Sequence, residues 1–171
     1  MQPNNDTPII DFHSHFLVQE VFDQCHCHSP ASGFGHHQAP PHLVTLFDKM
    51  KNPRLVIEDM DRLGIGMCVS SSATVIEPTS WAEPAAELEL VRRLNDTVAQ
   101  WEAQFPQRII GSFVLPLQDM DLALQELTRA VGLGLKVANI PSEVQGTYLG
   151  DRKFWPFWEA AQDLGVVSFM H

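Results

Sequence analysis

Pro8-Ile9-Ile10-Asp11-Phe12-His13-Ser14-His15-Phe16 is an apolar segment that turns polar at its end. Side chains alternate faces along an extended chain, so His13 and His15 project to one side. A second segment, Val166-Val167-Ser168-Phe169-Met170-His171, repeats the pattern and also ends on a histidine. Two imidazoles from one strand end and a third from another are suitable donors for a transition metal.

Between these two segments the pattern alternates regularly. Arg54 to Leu63 predicts a helix with Val56, Met60 and Leu63 on one face, closed by Gly64. Met67 to Ser70 reads as a strand. Ala85 to Phe105 reads as a long helix, with Pro84 near its start and an apolar stripe of Val91, Leu94, Val98 and Trp101. A strand from Arg108 to Leu115 follows, then a helix from Asp119 to Val131. A strand from Leu135 to Ile140 stops at Pro141, and a helix from Arg152 to Leu164 is closed by Gly165.

The order predicts an α/β fold of five parallel strands with right-handed helical crossovers. Such strands make either an open doubly wound sheet or the first five strands of a (β/α)₈ TIM barrel. No Gly-rich phosphate loop follows the first strand, which weakens a dinucleotide-binding reading. His13, His15 and His171 all fall at C-terminal strand ends, where barrels carry their catalytic groups. Across a barrel mouth, strands one and five face one another.

The stretch from Leu17 to Pro53 departs from the pattern. It contains Cys25, Cys27, His26, His28, His36, His37 and His42, with Gly33-Phe34-Gly35 and Pro40-Pro41. It reads as a long irregular loop leaving the catalytic end of strand one, and so as a lid within one domain spanning 1–171. His36 and His37 are candidates to reach a substrate from it. Trp81, on the loop after strand two, is a third candidate to line a pocket. Cys25-His26-Cys27-His28 separates its cysteines by one residue, which does not fit zinc-site spacing. Lys136 lies mid-strand, where a structural role is expected rather than a bridging carbamate.

The chain's 171 residues are 44% hydrophobic and 19% charged, ordinary values for a globular protein, and carry a net charge of −10. That charge argues against nucleic acid and anionic membranes as partners. The opening Met1-Gln2-Pro3-Asn4-Asn5-Asp6 lacks the basic and apolar regions of a signal peptide, and no apolar run approaches a membrane span. Three cysteines, two of them one residue apart, make no disulfide framework, so a cytoplasmic location is expected.

In its ordered motifs the sequence resembles the amidohydrolase superfamily, and within it the branch of α-amino-β-carboxymuconate-ε-semialdehyde and γ-resorcylate decarboxylases. The residues that carry the resemblance begin with Asp11-Phe12-His13-Ser14-His15. They continue through Ile57-Glu58-Asp59-Met60-Asp61-Arg62-Leu63-Gly64-Ile65, Ser80-Trp81-Ala82-Glu83-Pro84 and Arg93-Leu94-Asn95-Asp96. They end with Arg108-Ile109-Ile110-Gly111-Ser112-Phe113-Val114-Leu115-Pro116, Phe154-Trp155-Pro156-Phe157-Trp158-Glu159-Ala160-Ala161 and the closing His171.

The resemblance implies a TIM barrel holding one divalent metal, zinc first and manganese second, on His13, His15 and His171. It implies nonoxidative decarboxylation or related C–C cleavage of a small carboxylate, with hydrolysis of an amide, ester or lactone as the alternative. A metal-binding pseudo-enzyme or an inactive fragment is the non-catalytic alternative. The family's catalytic histidine after strand six and its metal-binding aspartate after strand eight have no counterpart in these residues, so the catalytic group is expected beyond position 171. The branch's substrate-binding arginine, just before Asn52, is not matched either; Lys49 and Lys51 lie nearby. A five-stranded part of a barrel leaves a bare strand edge, so further chain or a homo-oligomeric partner is expected to cover it.

Overall fold

The computed structural model describes residues 8–25, 27–28, 41–74 and 77–171. Strand β1 (Ile9–Phe16) is followed by helices α1 (Gln19–Cys25), α2 (Pro41–Met50) and α3 (Pro53–Leu63). Strand β2 (Ile65–Ser72), α4 (Pro84–Gln104), β3 (Ile109–Phe113), α5 (Met120–Gly132) and β4 (Val137–Ile140) follow in strict alternation. A small hairpin, β5 (Glu143–Val144) and β6 (Thr147–Tyr148), then precedes a 3₁₀ turn (Arg152–Phe154), α6 (Trp155–Asp163) and β7 (Val167–Met170).

The main sheet is parallel throughout, in the order β1-β2-β3-β4-β7. A flat sheet of five strands would hold its edge strands roughly 19 Å apart, four spacings of about 4.8 Å. Yet the imidazole of His13 on β1 touches that of His171, just past β7, with 2.9 Å between nitrogens. The sheet is therefore strongly curled, as half of a barrel wall is, and the expected barrel-type topology is present.

Alternation and register divide the sheet's two faces. The concave face carries His13, His15, Ser71, Ser112, Asn139 and Phe169. The convex face packs against the helices. There Gly111 allows close packing: a Cβ at that position would sit 2.7 Å from the Leu135 side chain and 3.1 Å from that of Val98, so those side chains would have to shift. The stripe on α4 is buried as its spacing predicts, with Val91, Leu94, Val98 and Trp101 all in the core. Between α4 and α5, buried Asn95 donates to Val114 O and to Glu126 Oε1, and accepts from Val114 N. Arg92 and Arg129 neutralise the fully buried Glu126.

One expectation needs correction, and two details go beyond it. The segment from Leu17 to Pro53 is not irregular throughout, since it contains α1 and α2. Val18, Val21, Phe22 and Cys25 recur at helical spacing; Val18, Val21 and Cys25 enter the main core. Phe22 joins a smaller cluster with Leu17, Met50 and Ala73. The hairpin is the first of these details. Its strands are too short for a hydrophobic period, and the legible clue is the turn Gln145-Gly146, where both residues have positive φ (51° and 77°). As the second, Val56, Met60 and Leu63 do share one face of α3, which lines a cavity, although Leu63 is less buried than Met60. Leu63 is 62% exposed and borders the large cavity described below.

The edge strands carry exposed apolar side chains: Ile9, Ile10 and Phe12 on β1, Val167 and Met170 on β7. Among the described residues, no helix is long and apolar enough to cross a membrane.

Candidate metal centre

His13 and His15 sit on the concave face together because β1 is extended and a single residue, Ser14, separates them. Their rings meet edge to face with centroids 4.8 Å apart. The backbone nitrogen of His171 donates to Ile140 O at 2.9 Å, continuing the β4–β7 ladder by one residue. This register brings its ring within 4.8 Å of His13 and 5.0 Å of His15, centroid to centroid. One nitrogen from each ring lies within 4.8 Å of the other two, a group that could hold a metal ion. Among the described residues this is the one such group of three or more His, Cys, Asp or Glu.

Neighbouring side chains orient two of the rings. Ser71 Oγ is 3.2 Å from His15 Nδ1, and Thr74 Oγ1 is 3.5 Å from His171 Nδ1. With Nδ1 engaged in each case, Nε2 is left to face an ion. Asp11 accepts a hydrogen bond from the backbone nitrogen of His13 at 2.9 Å. Partial burial, then the neighbouring His171 and His13, lower the pKa of His15. Burial and His13 do the same to His171. His15 and His171 thus favour the neutral form, the form that ligates a metal. The donor set fits a borderline divalent ion.

A cavity of about 610 Å³ adjoins the three rings. Leu46, Phe47, Lys49 and Met50 of α2 form part of its wall, so the segment after β1 does border the histidine cluster. Lys49 Nζ is paired with Asp59 at 2.6 Å. Trp81 is not among the residues that line this cavity. It is 42% exposed and stacks on His28, with ring centroids 4.0 Å apart and planes 12° from parallel. His26, His36 and His37 lie outside the described residues. Ser71 and Thr74 were not legible as ring-orienting groups; the polar run Ser70-Ser71-Ser72 at the end of an otherwise apolar strand is the signal that points to them.

Comparison with known proteins identifies the family. The amidohydrolase family model matches residues 10–171. The chain is 35% identical over 121 residues to 2-amino-3-carboxymuconate-6-semialdehyde decarboxylase of Dictyostelium discoideum, covering 70% of this chain and 33% of that protein. It is also 35% identical over 120 residues to γ-resorcylate decarboxylase of Polaromonas, covering 66% and 36%. Among solved structures, manganese-bound 5-carboxyvanillate decarboxylase from Novosphingobium aromaticivorans superposes with a TM-score of 0.83 at 23% identity, over 97% of this chain and 51% of that one. Dihydroxybenzoic acid decarboxylase from Polaromonas, with bound manganese and 2-nitroresorcinol, gives 0.78 at 27% identity, over 96% and 49%. The chain therefore spans about a third of the length of these curated relatives and about half of these solved chains. With the family model matching nearly end to end and the metal-type histidine cluster at its C-terminal strand ends, the chain belongs to the amidohydrolase family.

Proposed function

We propose that the protein acts as a divalent-metal-dependent decarboxylase of a small carboxylate substrate. The observation that carries this reading is the convergence of the His13, His15 and His171 nitrogens from opposite edges of the sheet. The three imidazoles hold the ion, while Ser71 and Thr74 fix the orientation of two of them. When bound, the ion supplies Lewis-acid polarisation of a substrate oxygen. Phe47 and Met50 of α2 give the adjoining cavity an apolar wall, which suits an unsaturated or aromatic carbon skeleton. In this reading the segment 17–53 serves as the lid; His36 and His37 on it, and Trp81 on the β2–α4 loop, are the candidate substrate contacts.

Three imidazole donors favour zinc. The manganese in the related solved structures supports manganese as the second reading. The free thiols of Cys25, Cys27 and Cys68 favour a cytoplasmic protein. The apolar side chains on both sheet edges favour a homo-oligomer. The experiment is metal analysis of the full-length protein, followed by turnover on a panel of small aryl and unsaturated carboxylates with CO₂ release as the readout. One stoichiometric ion and metal-dependent CO₂ release are expected. Metal-free protein of undiminished activity would overturn the reading.

A further inference from the structure

A second cavity, of about 270 Å³, opens over the C-terminal ends of β2, β3 and β4. Its polar wall is made by Thr79, Glu87, Gln118, Asn139, Glu143 and Gln145. Thr74 also borders it, and the Thr74 hydroxyl contacts His171, so the two cavities are neighbours. No lysine, arginine or histidine lines it among the described residues, while two carboxylates do.

Glu87 is the informative residue. It is 3% exposed. Oε1 accepts a hydrogen bond from Thr79 Oγ1 at 3.0 Å and the nearby Gln118 amide also stabilises the carboxylate, but Oε2 has no partner of hydrogen-bonding geometry. The carbonyl oxygen of Asn139, equally buried, has none either. A buried carboxylate without a cation is costly. Glu126, on the adjacent helix, shows how this fold answers that cost: two arginines and Asn95 grip it. Glu87 has no such cation. Glu77, also buried without one, lines neither cavity. Glu87 thus combines an uncompensated carboxylate with an adjoining space for a ligand.

We propose that this second cavity binds a small primary ammonium group, with Glu87 as its counter-ion and Asn139 Oδ1 as a second acceptor. The ammonium supplies three N–H donors and a positive charge, and the wall supplies acceptors and negative charge. Solvent does not reach Oε2 in the ligand-free state. Binding requires the Thr79 or Gln118 side chain to move aside and expose it. Gln118 is held by its donation to Ala82 O and its acceptance from Gln145. Glu143, exposed at the rim, adds attraction at the entrance. Burial raises the proton affinity of Glu87, so cation binding should expel any proton it carries and tighten as pH rises. The proposal does not depend on the metal reading.

The test is titration of the full-length protein with ethanolammonium, followed by calorimetry and by amide chemical shifts of the hairpin around Gly146. Ethylene glycol and acetate serve as the neutral and anionic controls. Saturable binding of ethanolammonium with shifts at the hairpin is expected. Glu87→Gln should weaken it by about tenfold or more, the loss of a buried charge-assisted hydrogen bond. Glu143→Lys, at an exposed position that folding tolerates, should weaken it severalfold. Equal binding of the controls would overturn the proposal. So would unchanged affinity in both variants, or shifts confined to other parts of the fold. Because no turnover or metal is read, failure here is distinct from failure of the decarboxylase reading.

Discussion

His13 Nε2 lies 2.9 Å from His171 Nε2, although 158 positions and the full width of a five-stranded sheet separate the two residues. Two free imidazoles gain little from so close an approach unless a proton or an ion lies between them. Two protonated rings would repel, and this crowding is one reason why the pKa of His171 falls. A shared cation satisfies all three nitrogens at once. The curl of the sheet and the convergence of the three imidazoles are therefore one fact: closing the sheet brings them together.

Replacing His13 or His171 by alanine should abolish metal retention in the full-length protein, read by elemental analysis after dialysis. Ser71→Ala should leave the ion in place but weaken its affinity by about tenfold, since it orients His15 only through Nδ1. A Ser71→Ala loss as large as that of His13→Ala would make Ser71 more than an orienting group.

The legible parts of this fold were those with long periods. The 21-residue α4 and the 13-residue α5 announced themselves by their stripes. The His-x-His pair could be placed on one face because a strand's alternation is strict. Helix α1 has seven residues, under two turns, and its helical spacing of apolar residues was obscured by the cysteines and histidines around it. The approach of His171 to His15 was legible only through the barrel expectation. Local pattern carries no information about how far a sheet curls. The i,i+3 spacing of Glu126 and Arg129 on α5 was legible as a pair, but spacing could not reveal that Arg92 of α4 also reaches Glu126 while no cation reaches Glu87.

Asn95→Ala should be strongly destabilising, by about 3 kcal/mol. The side chain makes three buried hydrogen bonds, two to the backbone of Val114 and one to Glu126. Its loss strands a backbone N–H, a carbonyl and part of a carboxylate. Chemical denaturation measures the change. A loss under about 1 kcal/mol would mean that water replaces the amide, and that this seam between α4 and β3 is wetter than its burial indicates.

Trp81 joins the β2–α4 loop to the end of α1 through its stack on His28 and its contact with the Cys25 thiol. Cys25 is fully buried, and burial pushes its thiol up to about 11, so it should resist alkylation at neutral pH. Cys27 is exposed and should react first. Trp81→Ala should loosen α1 and speed alkylation of Cys25 by about tenfold, with Cys27 unaffected. Protection unchanged in that variant would leave Trp81 free for the substrate-contact role and remove it from the packing of α1.

Glu77 anchors the start of α1 by accepting the backbone nitrogen of Val18 at 2.9 Å, from a position only 1% exposed. Its other oxygen has no partner, and the nearby Cys25 thiol offers no positive charge. Burial raises its pKa from 4.5 to about 8; the bond from Val18 only partly opposes this. The folded state therefore holds the proton more tightly than the unfolded chain. Between about pH 4.5 and 8 the native protein binds more protons, so the contribution of this residue to stability falls as pH rises through that window. Glu77→Gln keeps an acceptor for Val18 and removes the titration. At pH 5 the variant and the parent should be about equally stable. At pH 9 the variant should be more stable by a few kcal/mol, an order-of-magnitude figure from the size of the shift. Urea unfolding at several pH values measures both. If the two proteins lose the same stability between pH 5 and 9, the carboxyl group is not held neutral by burial, and water or a cation reaches it in the folded state.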